Sequence, residues 1–420
     1  MPWGVVLDCG SSGTRLHVFN WREAGGRLSE VAPGDAQSMK LEPGISSFVA
    51  NPAALSAYID PLLQEALRLV PSGAHASTSL RAYATAGMRL LTVEQQSRIW
   101  SVLRDRFDAS PFAFKRADAA TISGNSEGLF GWIAAHEIAV SAAAPRGAPS
   151  HFGMLDLGGA STQVAFAPVG GSIMEDAYRV SRRGATSRVY SHSYMRSGVD
   201  QAVLRLAERL HRAPPVLDVA APLFMPCFNT GHERNVTLCS RDGSACAVRL
   251  FRGSGDWDAC HALTDAMLHT EYDCLQPPCA AYGVYQPDVT GVSLFATSGF
   301  FWMVNGIGLA PMGGSWSGTL AQVAAAGRAY CRKPWSEVAD RYALNNCFSA
   351  AYVSSLLAAF GVPPDSTAVT YALQLDGRSV AWSLGAQIYS LAEQECDVAS
   401  DLTRDNGALT SPTQIGRAHV

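Results

Sequence analysis

Residues 154–166 read Met-Leu-Asp-Leu-Gly-Gly-Ala-Ser-Thr-Gln-Val-Ala-Phe. One carboxylate, two adjacent glycines and three polar side chains lie between apolar, β-prone flanks. This suits a strand–turn–strand whose turn brings backbone N–H groups up to an anion. Glycine removes the Cβ that would hold a ligand away, and Ser161, Thr162 and Gln163 add donors. Near the N-terminus the pattern recurs as Val5-Val6-Leu7-Asp8-Cys9-Gly10-Ser11-Ser12-Gly13-Thr14-Arg15. A Gly/Ser/Thr-rich stretch between strands is, alone, simply a turn. Two that share an Asp-x-Gly and its flanks predict two lobes of related design facing each other across a cleft. Ser11, Ser12, Gly13 and Thr14 from one lobe, with Gly158, Gly159, Ala160 and Ser161 from the other, would grip a chain of phosphates. Asp8 and Asp156 would then sit where a divalent cation has to be.

A third chemical stretch, residues 122–132, reads Ile-Ser-Gly-Asn-Ser-Glu-Gly-Leu-Phe-Gly-Trp and fits the first turn of a helix. Glu127 there either complements the helix dipole, the reading local sequence favours, or serves as a general base at the mouth of the cleft. In residues 83–91, a strand ending in a small-residue turn, Thr85 and Arg89 are the obvious polar groups.

The elements around these stretches are legible from periodicity. Residues 3–15 form the first strand and loop, with a returning strand at 16–21. Apolar spacing predicts helices over 52–69, 93–107, 199–211, 260–268 and 351–360, a strand at 369–375, and a last helix opening near 380. Residues 295–302 read as an aromatic-rich strand or turn whose rings belong to the core.

At 420 residues the chain exceeds one ordinary core, so two domains are expected. A composition 48% hydrophobic and 16% charged describes a well-buried globular protein. A net charge of −4 without a Lys/Arg-rich run gives no footprint for nucleic acid. The longest apolar stretch, 292–312, is broken by Thr297, Ser298, Asn305 and glycines, so it reads as buried strand and cleft lining, and no stretch reads as a membrane span. The chain runs directly into a strand without a signal peptide, so it is cytosolic or has lost a leader. The cysteines favour the second choice. Of ten, eight fall at Cys227, Cys239, Cys246, Cys260, Cys274, Cys279, Cys331 and Cys347, without the paired spacing of a zinc site. They read as a disulfide framework made in an oxidising compartment, secreted or in the secretory lumen, and the sequon at Asn235 agrees.

Five stretches in order, 8–15, 84–89, 123–128, 155–163 and 382–385, resemble the five conserved regions of the ecto-nucleoside triphosphate diphosphohydrolase (apyrase) family. The resemblance spans nearly the whole chain. It implies an α/β, two-domain actin/Hsp70-like (ribonuclease-H-like) fold with the active site in the interdomain cleft. The expected division is residues 1–123 with 370–420 as one domain and 124–369 as the other. The implied substrates are nucleoside di- and triphosphates, hydrolysed with Ca²⁺ or Mg²⁺ held through water by Asp8 and Asp156. Glu127 becomes the base, Ser161 and Gln163 place the attacking water, and Thr85 contacts that water or the terminal phosphate. Arg89 and Trp382 become supporting residues. Trp302 would stack on the nucleobase, with Arg341 or Tyr342 on its other side. The implied disulfides are Cys227–Cys260, Cys239–Cys246, Cys274–Cys279 and Cys331–Cys347. Cys9 stands where the family usually has Ala, and a thiol beside a phosphate loop predicts sensitivity to thiol reagents. Oligomeric state is left open. The same fold also serves sugar and acetate kinases, exopolyphosphatases and slow nucleotide switches. An acceptor pocket or a partner-binding module would mark those, and neither is evident in the sequence.

Overall fold

A computed structural model describes residues 1–24, 27–33, 39–142, 151–182, 185–212, 221–239, 246–338, 340 and 343–392. Its N-terminal lobe is built on β1 (Trp3–Cys9), which turns back into β2 (Thr14–Ala24), antiparallel, with Asp8 opposite Arg15 and Cys9 opposite Thr14. β3 (Arg27–Pro33) and the short β4 (Lys40–Leu41) pair with β2. α1 (Leu55–Leu69) leads to β5 (Ser79–Ala84), parallel to β1, and α2 (Ala86–Arg89) and α3 (Val93–Asp108) lead to β6 (Ala113–Thr121), parallel to β5. The sheet order is β3-β2-β1-β5-β6. α3 starts at a reciprocal cap: Thr92 accepts from the Gln95 N–H, and the Gln95 side chain accepts from the Thr92 N–H.

α4 (Gly124–Ala142) carries the chain into the second lobe, where the plan repeats. β7 (Phe152–Leu157) and β8 (Ser161–Phe166) form the matching hairpin, with Asp156 opposite Gln163 and Leu157 opposite Thr162. β9 (Ala177–Arg182) and β10 (Ala185–Met195) extend the sheet beyond β8. Then come α5 (Val199–Arg212) and a small sheet of β11 (Leu223–Met225), β12 (Glu233–Cys239) and β13 (Cys246–Gly253). After α6 (Trp257–Met267), β14 (Ser293–Ser298) lies parallel to β7, and α7 (Gly299–Gly306) leaves its end. β15 (Ser315–Ser317), α8 (Leu320–Cys331), α9 (Trp335–Val338) and α10 (Asn346–Ala359) lead to β16 (Val369–Ala372), parallel to β14. α11, residues 382–392, returns to the first lobe, where Gln387 accepts a hydrogen bond from Arg81 at 3.1 Å. The second sheet runs β15-β16-β14-β7-β8-β10-β9. In each lobe the hairpin strand is therefore flanked by its antiparallel partner on one side and two successive parallel strands on the other.

Strand periodicity fixes where the two aspartates go. In β1, Val5, Leu7 and Cys9 face the cluster beneath α1 and α3 (Leu62, Ile99, Leu103, Phe107), while Val6 belongs to a different cluster. That second cluster joins the lobes: Val6, Phe19 and Trp21 meet Leu129, Trp132 and Ile133 of α4, Leu384 and Ile388 of α11, and Phe152 and Met154 of β7. Successive side chains alternate faces, so Asp8 follows Val6 and Asp156 follows Met154 onto the side of α4. α4 is apolar around most of its girth because it is buried between the lobes.

All four implied disulfides are formed, each within the second lobe. Among the described residues no helix is long and apolar enough to cross a membrane. The expected helices lie within a few residues of those found. Residues 295–302 were expected as a single strand or turn; instead the strand ends at Ser298, whose φ of 56° breaks the extended run, and α7 begins at Gly299. Periodicity does not mark α8, because its alanine-rich sequence carries little apolar contrast. Its readable sign was Thr319-x-x-Gln322, a second reciprocal cap.

Candidate active site

The two hairpin loops meet. A Cβ placed on Gly159 would lie 3.1 Å from Ser11 Oγ and 2.7 Å from Asp200 Oδ2, so only glycine lets the second loop come this close to the first. Each loop is braced from behind. α2 packs on the first loop, where the Thr85 N–H donates to the Cys9 carbonyl at 3.3 Å. The start of α5 packs on the second, with the N–H groups of Val199 and Asp200 donating to the carbonyls of Gly158 and Gly159 at 2.9 and 3.0 Å. The Gly158 N–H closes its own turn onto the Ser161 carbonyl at 3.0 Å.

Glu127 sits in the first turn of α4, which Ser123 caps: the Ser126 N–H donates to Ser123 Oγ at 3.0 Å. Its carboxylate is buried, forms a short ion pair with Arg89 and accepts from Gln163 Nε2 at 3.2 Å. The same Gln163 nitrogen lies 2.7 Å from Ser161 Oγ and 2.9 Å from Ser193 Oγ. One amide thus gathers the base candidate and two hydroxyls around a single point. A Cβ on Gly124 would fall 2.2 Å from Arg89 Nη1 and from Ser193 Oγ, so glycine is required for Arg89 to reach Glu127 past this turn.

Charge coupling ties the three carboxylates together. Burial pushes Glu127 up to about 8; Arg89 pulls it down, while Asp156 and Asp8 push it further up. Asp8 is raised to about 6, first by burial, then by Asp156, against the pull of Arg15, whose Nη1 is 3.7 Å away. Asp156 is also raised by burial, with the Ser298 hydroxyl and Arg15 opposing. A buried site that holds three carboxylates against two guanidiniums favours added positive charge. Asp8 and Asp156, one from each loop, fit a hard hydrated cation that keeps much of its water. Among the described residues no group of three or more His, Cys, Asp or Glu side chains is gathered as a direct-ligand set.

Thr85 is buried at the head of α2, and Trp382 is buried at the start of α11. Ser12 is exposed at the loop tip, while Gly13 and Thr14 are buried. Trp302 is 48% exposed, edge-on to the buried Phe301 and one helical turn beyond Ser298, the partner of Asp156. Arg341 and Tyr342 lie outside the described residues. The expected thiol sensitivity of Cys9 does not fit its setting. Its side chain is packed under the sheet at 1% exposure and burial raises its pKa, so the thiolate needed for reaction is scarce and out of reach.

Residues 1–402 match the GDA1/CD39 (nucleoside phosphatase) family. The chain belongs to this family. It is 31% identical to probable apyrase 5 of Arabidopsis thaliana over 92% of this chain and 82% of that one. It is likewise 31% identical to ectonucleoside triphosphate diphosphohydrolase 8 of Bos taurus, over 91% and 81%. A crystal structure of nucleoside triphosphate hydrolases from Neospora caninum superposes with a TM-score of 0.68 at 16% identity, covering 94% of this chain and 93% of that one. The fold is the actin/Hsp70-like one, and as a family member the chain is an enzyme that hydrolyses nucleotide phosphates. Nothing local in the sequence marks Ser193, Asn125, Asp200 or Ser298 for this site. Ser191-His192-Ser193 reads as an ordinary polar strand face, and only the pairing of β10 with β8 brings it to Gln163.

Proposed function

We propose that this nucleoside phosphatase removes the terminal phosphate of nucleoside tri- and diphosphates by direct attack of water, with no phosphoenzyme. The observation that carries the proposal is the convergence of Glu127, Ser161 and Ser193 on Gln163 Nε2, within the field of Asp8 and Asp156. Asp8 and Asp156 would hold Ca²⁺ or Mg²⁺ through water. When bound, such a cation neutralises phosphate oxygens that otherwise repel a nucleophile. Backbone and hydroxyl donors of the loops at 11–14 and 158–161 would hold the phosphates. Ser161 and Gln163 would orient the water, and Glu127 would take its proton during attack. Arg89 keeps Glu127 ionisable, offsetting part of the upward push of burial. Thr85 would touch the water or the terminal phosphate. Trp302 would stack on the base, tolerantly of its identity. The four disulfides suit assembly in the secretory pathway, and Asn235 is exposed where a glycan would be carried.

The test is Glu127→Gln, which keeps shape and loses the base. Nucleotide binding measured calorimetrically should persist while steady-state phosphate release falls by about 10³-fold. Wild-type release in this variant would remove Glu127 from the role. EDTA should abolish turnover of the native enzyme and restored Mg²⁺ or Ca²⁺ should recover it.

A further inference from the structure

The first turn of α4 is tied to β10 by contacts that the proposed chemistry does not use. Asn125 and Glu127 are two residues apart, so at about 100° per residue their side chains leave α4 on nearly opposite sides. Asn125 Nδ2 donates to Asp176 Oδ1 at 2.8 Å, and its Oδ1 accepts from the Ser193 N–H at 3.1 Å. The Asn125 carbonyl accepts from Ser191 Oγ at 2.7 Å, and the Tyr178 hydroxyl also bonds its side chain. Asp176 is itself fixed: its other oxygen meets His192 Nδ1 at 2.6 Å, and its carbonyl accepts from the Ser191 N–H at 3.1 Å. It sits in the left-handed region at φ 55°, a conformation a β-branched or bulky residue would not hold cheaply. Ser193 closes the arrangement, because its N–H holds Asn125 while its hydroxyl accepts from Gln163.

We propose that Asn125 and Asp176 are positioning residues that set Glu127 and Gln163 at one mutual distance, by clamping the α4 first turn onto the strand that also orients Gln163. This rests on the reading of Glu127 as the base. The clamp transmits no charge to substrate; it removes rotational freedom from the turn that carries the carboxylate. A shift of about 1 Å at a reacting group costs on the order of 10²-fold in rate, which sets the scale of its effect.

Reciprocal substitution tests it. Asn125→Asp sets a carboxylate against Asp176 and should lower kcat by about 30–100-fold, with KM within about twofold, since phosphate and base contacts are untouched. Asp176→Asn keeps an acceptor for Asn125 and should cost only about threefold. Asn125→Asp with Asp176→Asn exchanges donor and acceptor across the same contact and should return kcat to within about fivefold of wild type. Should Asn125→Asp fail to fold, Asn125→Ser removes the amide without adding charge and should still lower kcat about tenfold while the chain stays folded at the assay temperature, as its unfolding curve would show. Wild-type kcat in Asn125→Asp or Asn125→Ser, or a double variant no better than Asn125→Asp, overturns the clamp. Glu127→Gln run alongside separates the two failures: if it is inactive while the exchange fails to rescue, the clamp is wrong and the base stands. If it is active, the base assignment is what falls.

Discussion

The hairpin at β1 and β2 and the hairpin at β7 and β8 are built alike, and they differ most at one position. Opposite Asp8 stands Arg15; opposite Asp156 stands Gln163. Arginine brings a fixed positive charge near its aspartate, at 3.7 Å, and can only donate. Glutamine is neutral, and its amide reaches Glu127, Ser161 and Ser193 together. On the proposed mechanism the first loop would balance charge and the second would orient small neutral partners such as water. The fold presents the same geometry twice, and one facing residue distinguishes the two hairpins.

Exchanging those residues should sharpen this contrast. Gln163→Arg would bring a second guanidinium to Glu127, lock the carboxylate in an ion pair and displace the oriented hydroxyls. Turnover should fall by about 10³-fold. Arg15→Gln removes a counter-charge shared by Asp8 and Asp156 and should cost about tenfold, most of it recovered by raising Mg²⁺. Steady-state kinetics of both variants across a cation titration read the difference. Equal losses would show that the hairpins share one role.

A smaller effect concerns stability in EDTA. Glu127 has an ordinary carboxyl pKa of 4.5 and is raised to about 8 in the fold; Asp8 goes from 3.8 to about 6. Between those values the folded chain holds protons that the unfolded chain has released. The stability is therefore full below pH 4, is lost progressively as pH climbs through 6 to 8, and is flat above. The unfolding midpoint should drop by roughly 5 °C between pH 5 and pH 8 without cation. Glu127→Gln should flatten the upper part of that curve, while Mg²⁺ should raise the midpoint most at pH 8. A midpoint rising with pH in EDTA would contradict the buried, mutually repelling carboxylates.

How much of this was legible in the chain follows from the range of the forces. The Asp-x-Gly turns could be read because their requirement is local: a backbone approach that excludes Cβ, as at Gly159, where an added Cβ would fall 2.7 Å from Asp200 Oδ2 and 3.1 Å from Ser11 Oγ, must be written as glycine. The buried β1 could be read because Val5, Val6 and Leu7 are all apolar, as a strand covered on both faces must be. Glu127 was ambiguous, because a first-turn carboxylate serves a helix dipole equally well. Its surroundings come from Arg89, Gln163 and Ser193, which the fold alone assembles. Asn125, Asp176 and Ser193 were invisible for the same reason: their bonds join a helix, a turn and a strand with no spacing in common.

The smallest predicted effect lies at Cys9, the residue that follows the first aspartate. Cys9 and Leu157 occupy matching positions, each just after its aspartate and each packed into its lobe's core, at 1% exposure. A side chain there fills volume and is shielded from the cleft by the sheet. Cys9→Ala removes one buried sulfur and leaves a small void, costing about 1 kcal/mol of stability. Turnover should stay within about twofold, and excess iodoacetamide should leave native activity unchanged over an hour. Inactivation that Cys9→Ala prevents would mean that β1 parts from its helices during turnover. The first hairpin would then be the moving half of the pair, and its role would extend from balancing charge to gating the cleft.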